Sequence, residues 1–332
     1  MIKVFFTGIA GANKRLFLED FEKLCNKNKK KCQIISFGEI IFKLAEELGL
    51  HLKEEKWLNL PRSTIKTLLV NAIERLEKII NDECDVVIIS THASFWWKNG
   101  PEHAFDIPSI SKINPDLYIT LINDPAVIKK NIDNDPRWGK DFITFKEILL
   151  WMDLEIYTTE IFADLQNRKH YILHFDHQPE TLFKLIFQPH LPKIYLSYPM
   201  TFLKKSDFKR VEKFIADLNK YSIVIDPKLE KFEISLLSKE EQKLLNNHIV
   251  KRDYRFIDQS DILIIYYFKL VSSPGVESEK SYAHQVNKFV WLIYPFDKKS
   301  PFTSYYSDRI FKKEQEVLNA LKRLSSIKKF NQ

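Results

Sequence analysis

Glycine is scarce, with seven among 332 residues, so each one standing at the end of a strand marks a tight turn or a close backbone approach. The three cysteines, Cys25, Cys32 and Cys84, are odd in number and lack metal-ligand spacing. Neither a disulfide framework nor a cysteine metal site is expected, and free thiols suit a reducing compartment. The nine histidines do not cluster either, so no metal is assigned. No apolar run reaches the roughly 20 residues needed to span a bilayer. The opening Met1-Ile-Lys-Val-Phe-Phe-Thr-Gly8 enters a strand without the layout of a signal peptide. A cytoplasmic protein with no membrane association is the expectation. Excess charge is also small: 51 basic against 44 acidic side chains leave +7. Lysine clusters such as Lys29-Lys30-Lys31 read as solvated surface. Without a finger, recognition helix or aromatic RNA-binding motif, nucleic acid is not the expected partner, and small anionic ligands suit the balance as well.

What the chain has is apolar material, 45% of its residues, enough for two hydrophobic cores at this length. Strand-like and helix-period runs alternate almost throughout, which predicts an α/β protein with two three-layer domains, each built on a mostly parallel sheet. In the first half, strands are predicted at Lys3–Thr7, Cys32–Ser36, Val86–Ser90, Leu117–Ile122 and His170–Phe175. Helical spacing covers Gly38–Leu48, Thr64–Ile80 and Phe145–Leu165. Gln188-Pro-His-Leu-Pro192 carries two prolines in five residues and is read as a linker, dividing residues 1–187 from residues 193–332. Beyond it the pattern restarts with strands Lys193–Ser197, Ile223–Ile225, Asp261–Tyr267 and Phe289–Tyr294. Helices are predicted at Asp207–Tyr221, Lys239–Asp258, Glu277–Asn287 and Lys312–Leu324.

Gly8-Ile-Ala-Gly-Ala-Asn-Lys14 follows a strand and opens a helix, where backbone N–H groups can cradle phosphate. A full phosphate loop would have glycine at Asn13 and a magnesium-binding hydroxyl at Arg15; Lys14 stands in the lysine's place. Ser36-Phe-Gly-Glu-Ile-Ile41, Ser90-Thr-His-Ala93 and Asn114-Pro-Asp-Leu-Tyr118 follow in order. Together these segments, over about Met1 to Ile186, resemble the archaeal adenylate kinase family of P-loop nucleotide kinases. The resemblance implies nucleotide contacts at Gly8, Gly11 and Lys14, and at Arg137 and Lys140 of Asp135-Pro-Arg-Trp-Gly-Lys-Asp141. ATP and Mg²⁺ would be required only if this domain is an active kinase. The altered loop makes a nucleotide-binding or structural remnant the favoured reading.

The second half holds a different set of residues. Ile194-Tyr-Leu-Ser-Tyr-Pro-Met200 ends a strand in a proline turn, at the carboxyl edge where open α/β sheets bind ligands. Arg252-Asp253 precedes Ser260-Asp261 and an apolar strand, and Ser273-Pro-Gly-Val-Glu-Ser-Glu279 then leads through Ala283 to Lys288 and Val290. These blocks resemble the nucleoside 2-deoxyribosyltransferase family and its nucleotide-hydrolysing relatives. The resemblance implies that Glu279 attacks the anomeric carbon of a deoxyribose, with Tyr195 orienting the carboxylate and Asp261 assisting the departing base. Gly275, Ser273, Pro199, Arg252 and Asp253 are the expected substrate contacts, and Ser273, Val276 and Ser281 depart from the family pattern.

The expected ligand is a small nucleoside or nucleotide, no cofactor is needed for glycosidic chemistry, and the resemblance implies a homo-oligomer. Two other readings stand beside this one: a nucleoside monophosphate kinase using Lys14, Arg137 and Lys140, and a non-catalytic nucleotide-sensing protein.

Overall fold

The computed structural model describes residues 1–50, 52, 56–136, 138, 143–227, 237–297 and 300–330. The chain forms two compact units, Met1–Glu180 with Phe232–Leu245, and Thr181–Lys231 with Asn246–Gln332.

The first unit contains β1 (Ile2–Thr7), α1 (Lys14–Lys27), β2 (Cys32–Ser36), α2 (Phe37–Glu47), α3 (Arg62–Ile79) and β3 (Val86–Ser90). It continues through β4 (Ser94–Trp97), β5 (Gly100–His103), α4 (Ile107–Ile113), β6 (Leu117–Ile122), α5 (Pro125–Asn134), α6 (Phe145–Leu165) and β7 (Lys169–His174). Five strands make one parallel sheet in the order β2-β3-β1-β6-β7. Its central strands read as unbroken apolar runs, such as Val86-Val-Ile-Ile89, because helices cover both faces and leave no solvent side. The hairpin β4-β5 was not anticipated from the sequence. Lys98 and Asn99 both adopt left-handed backbone (φ 49 and 61) between the strands, the geometry of a mirror-image hairpin turn.

Helix α6 starts at a reciprocal cap, with the Thr144 hydroxyl accepting from the Glu147 N–H and the Glu147 carboxylate accepting from the Thr144 N–H. Two turns on, it delivers Glu155 into the interior, 1% exposed. That carboxylate accepts from the N–H groups of Gly8 (3.0 Å), Ala93 (2.9 Å) and Ser94 (2.7 Å), and from the Ser94 hydroxyl (2.6 Å). Glu155 therefore ties the ends of β1 and β3 to α6.

The second unit takes in most of α7 (Pro179–Phe187), then β8 (Lys193–Ser197), α8 (Lys205–Leu218), β9 (Ile223–Ile225) and α9 (Lys239–Asp258), the last from Asn246 onward. It closes with β10 (Ile262–Tyr266), α10 (Pro274–Gln285), β11 (Phe289–Ile293), α11 (Pro301–Tyr305), β12 (Arg309–Phe311) and α12 (Glu314–Phe330). All strand pairs are parallel, in the order β12-β11-β10-β8-β9. Counted within the unit this is the flavodoxin-type arrangement, whose ligand crevice lies outside the carboxyl ends of the strands where the order reverses. Here that point lies between β8 and β10. Strand alternation sends Ile194, Leu196 and Tyr198 into a core with Val211, Phe214, Val317 and Leu321. Tyr195 and Ser197 face the other way.

Both sheets and their helices match the α/β expectation. The segments not anticipated are short or amphipathic pieces such as α4, α5 and β12. Among the described residues, no helix is long and apolar enough to cross a membrane.

Replacing Glu155 with alanine strips the partner from four buried donors at once. The expected loss is about 3 kcal/mol or more, given ~1–3 kcal/mol for each unsatisfied buried group. Thermal melting followed by tryptophan fluorescence checks it; a change no larger than about 0.5 kcal/mol, typical of exposed positions, would contradict the tying role.

Candidate functional site

Pro274 suits the first turn of a helix, where its missing N–H costs nothing, and it starts α10 directly after Ser273. From there the helix buries Val276, Lys280 and Ala283 against the sheet, and Glu279, three residues after Val276, projects from the same side. Glu279 meets the two side chains that β8 directs toward it. The Tyr195 hydroxyl donates to one carboxylate oxygen at 2.9 Å, and the Ser197 hydroxyl makes a short hydrogen bond to the other.

Burial withholds water from this carboxylate and the nearby negative charge of Asp253 adds to the effect. The two hydroxyls and Arg252 oppose them, and the net result pushes Glu279 up to about 7. Tyr195, fully buried, is held well above the ordinary tyrosine range, first by burial and then by the Glu279 charge. It acts at neutral pH as a hydrogen-bond donor and not as a base. Glu277 is differently placed: its carboxylate pairs with Lys280 and accepts from the Tyr267 hydroxyl at 3.0 Å.

Arg252 and Asp253 lie beside this site and touch each other, although neighbours on a helix need not. The guanidinium reaches one Asp253 oxygen from Nε (3.1 Å) and from a terminal nitrogen (2.8 Å), and both residues are buried. Burial raises the Asp253 carboxyl, with Arg252 opposing.

Asp261 requires a correction. Its carboxylate accepts from the Lys193 N–H at 2.9 Å, and its own N–H donates to the Lys193 carbonyl at 2.8 Å. Since Ile262 pairs with Ile194 and Ile265 with Ser197, Asp261 sits at the amino edge of the sheet, opposite the crevice. It closes the start of β10 and is not part of the Glu279 group. Gly275 is also less constrained than a glycine contact implies: an added Cβ would meet nothing within 4 Å. Ser273 precedes α10 without capping it through its side chain, and Pro199 leads from β8 into the short turn Met200–Phe202. Sequence reading missed Ser197 as a partner of Glu279. Its signal was the two-residue spacing from Tyr195, which places both hydroxyls on one face of a strand.

In the first unit, Gly8 (φ +147) and Gly11 (φ +79) sit where other residues are strained, and an added Cβ would approach the Leu121 carbonyl to 2.6 Å and the Ile128 carbonyl to 2.8 Å. Asn13 adopts left-handed backbone (φ 63) in the place of the second loop glycine, and its side-chain oxygen accepts from Asn131 at 3.0 Å. Lys14 does not reach outward. Its ammonium donates to the carbonyls of Gly8 and Thr91, and lies 3.4 Å from a His92 ring nitrogen. Burial lowers Lys14 to about 8, with Glu155 opposing. Arg15, where a hydroxyl would hold magnesium, is exposed and paired with Glu19 at 2.9 Å. The loop therefore offers no hydroxyl at the position that would hold Mg²⁺. Arg137 and Lys140 lie outside the described residues.

An AAA domain family model matches residues 8–148. An adenylate kinase from Pyrobaculum aerophilum is 24% identical over 181 residues, 54% of this chain and 88% of that protein. The N-terminal region is kinase-like. A second adenylate kinase, from Thermoplasma volcanium, is 27% identical over 135 residues, 41% of this chain and 69% of its own length. Among solved structures, a 2-deoxyribosyltransferase from Bacillus psychrosaccharolyticus is 23% identical, covers 38% of this chain and 90% of that one, and gives a TM-score of 0.32. A conserved protein from Enterococcus faecalis V583 is 14% identical and covers 40% and 98%, with a TM-score of 0.30. The kinase-like region keeps Gly8, Gly11 and Lys14, with Asn13 in the place of the loop's second glycine and Arg15 in the place of the hydroxyl that follows the lysine.

The raised Glu279 carboxyl has a consequence for stability. Because its folded value, about 7, exceeds the ordinary 4.5, the folded state holds the proton more tightly. This contribution is complete below the unfolded value and is lost as pH rises through the folded one. Glu279→Gln, which cannot ionise, should therefore melt higher than the parent at pH 8 and lose that advantage at pH 5. An equal difference at both pH values would show that the carboxyl is not raised.

Proposed function

We infer that the second unit cleaves or exchanges the N-glycosidic bond of a nucleoside or nucleotide, with Glu279 as nucleophile. The observation that carries this reading is a carboxylate at the carboxyl edge of a parallel sheet, at the point where strand order reverses, held by hydroxyls on both oxygens. A bare structural glutamate in the first turns of a helix would point to solvent and need neither hydroxyl. The four sequence blocks that resemble the deoxyribosyltransferase family, with Glu279 at their centre, support the same assignment.

In the reaction, a Glu279 oxygen forms a bond to C1′ of the sugar as the C1′–N bond breaks, and the electron pair of that bond leaves with the base. The departing nitrogen needs a proton or a hydrogen-bond donor. Asp253 is the candidate for this role in place of Asp261: it lies within electrostatic reach of Glu279, whereas Asp261 is committed to Lys193. Water or a second base then attacks C1′ of the glycosyl ester and restores the Glu279 carboxylate. Tyr195 and Ser197 hold the carboxylate in place through the cycle. By releasing part of their hydrogen bonding to the oxygen that becomes the ester, they allow its negative charge to be consumed.

Two measurements test the assignment. Incubated with a panel of nucleosides, deoxynucleosides and their 5′-phosphates, the protein should release free base, read by chromatography. Glu279→Gln should lower that rate by about 10³-fold or more, as loss of a nucleophile does; an unchanged rate would end the proposal. Since the attacking form is the anion, kcat/KM should rise with pH through about 7, where Glu279 ionises. Ser197→Ala removes a donor that favours the anion, so its rising limb should move to higher pH. A limb that stays put would remove Ser197 from the account.

A nucleotide kinase acting through Lys14 is the second reading, favoured by the retained glycine turn of the loop. ATP-dependent phosphorylation of a nucleoside monophosphate that disappears in Lys14→Ala would establish it.

A further inference from the structure

Arg252 and Asp253 follow each other on α9, and neighbours on a helix point about 100° apart. To touch Asp253, the Arg252 side chain has to turn back along its own helix. It does so with Nε (3.1 Å) and with a terminal nitrogen (2.8 Å), and both donate to the same oxygen, Oδ1. Two further contacts fix the guanidinium: it lies 5.6 Å from the centre of the Phe256 ring, one turn on, and its terminal nitrogen donates to the Pro227 carbonyl at 3.5 Å. The second contact locates the group. Ile225 pairs with Tyr195 in the parallel ladder of β8 and β9, so Pro227, two residues further, follows β9 out at the carboxyl edge of the sheet. Tyr195 and Ser197 hold Glu279 at that same edge.

Stability does not account for such a pair. Arg252 is 6% exposed and Asp253 8%, so both charges have left water, a cost that their mutual attraction rarely more than repays. Among the described residues, the titratable and charged groups that act on Asp253 or feel its charge are Arg252 and His248 on its own helix, Glu279 on α10 and Tyr195 on β8. Two charged donors on Oδ1 concentrate the carboxylate's negative charge there, so a proton taken up by Asp253 goes to Oδ2. The same donors stabilise the anion that remains once that proton has gone.

We propose that Arg252 is a positioning residue for the glycosidic reaction, fixing Asp253 by Oδ1 so that Oδ2 delivers the proton to the departing base. The proposal rests on the reading of Glu279 as nucleophile. As the C1′–N bond breaks, its electron pair goes to the base and the Oδ2 proton joins the base, which leaves neutral; Asp253 becomes an anion against the guanidinium. In the second step the attacking water or second base gives a proton to Oδ2 while its lone pair displaces Glu279 from C1′, and the starting charges return. Arg252 touches no reacting atom, in contrast to the substrate contact expected from the sequence.

Base release by the full chain tests it, comparing the deoxynucleoside that the protein cleaves best with 7-methyl-2′-deoxyguanosine, whose base already carries a positive charge and leaves neutral without a proton. Arg252→Gln should lower kcat on the ordinary substrate about 10²-fold with KM little changed, the scale of general acid catalysis, and should lower it far less on the methylated one. Arg252→Lys, which keeps the charge and loses the fork, should show the same contrast in weaker form. On the ordinary substrate the falling limb of kcat/KM should move to higher pH in Arg252→Gln, since the lost cation no longer favours the Asp253 anion. A raised KM with kcat unchanged would make Arg252 a substrate contact, and equal losses on both substrates with an unmoved limb would leave it a structural residue; either result overturns the proposal. A parent that releases no base would remove the Glu279 assignment and this one with it, whereas Glu279-dependent release unaltered in both Arg252 variants would overturn this one alone. Circular dichroism separates lost activity from lost folding, and either variant that folds decides the point.

Discussion

A carboxylate removed from water at the edge of a parallel sheet has to be held there, and the hydroxyls of Tyr195 and Ser197 do this for Glu279. Much of the second unit serves that contact. Strand β8 runs through the sheet with one face in the core, which leaves Tyr195 and Ser197 together on the other. Helix α10 begins at Pro274 and lays Val276, Lys280 and Ala283 against the sheet, which fixes the rotation that brings Glu279 to the two hydroxyls. Burial and donation work against each other on this group. Their near balance leaves a carboxyl that changes charge close to neutrality.

The first unit answers a similar problem with the opposite sign. Its buried charge is the ammonium of Lys14, satisfied by backbone carbonyls at the ends of β1 and β3 and neighboured by the Glu155 carboxylate. Glu155 in turn is satisfied by three backbone N–H groups and the Ser94 hydroxyl. The result is a loop that keeps its glycine geometry while its lysine is occupied internally. A phosphoryl-transfer site needs cations and magnesium aimed at developing charge. Here the lysine is turned inward and the position of the magnesium hydroxyl is an exposed arginine.

Much of this was legible from residue order. Long apolar strands such as Val86–Ser90 and Ile262–Tyr266 announce themselves because a parallel sheet is covered on both faces. Glu279 and Tyr195 were found through the blocks around them, and the structure brings them together. Asp261 was not readable in the same way: an acid before a strand looks alike whether it serves a ligand or closes the strand's amino end, and only the pairing with Lys193 decides which. Ser197 is the reverse case, a small residue without a distinctive motif whose importance comes from facing the same side as Tyr195. The contact between Arg252 and Asp253 depends on side-chain rotamers and could not be inferred from adjacency. The hairpin Ser94–His103 was hidden because Lys98, the first turn residue, is of a type that rarely adopts left-handed backbone, although Asn99 beside it tolerates that conformation.

The central claim is that Glu279 forms a bond to the sugar. Intact-protein mass spectrometry after rapid mixing with a deoxynucleoside panel and acid quenching reads this directly. The account predicts an adduct of one deoxyribosyl group, located by peptide mapping to the segment Pro274–Gln285 and missing in Glu279→Gln. Base release accompanied by an adduct on another residue, or base release undiminished in Glu279→Gln, would contradict it.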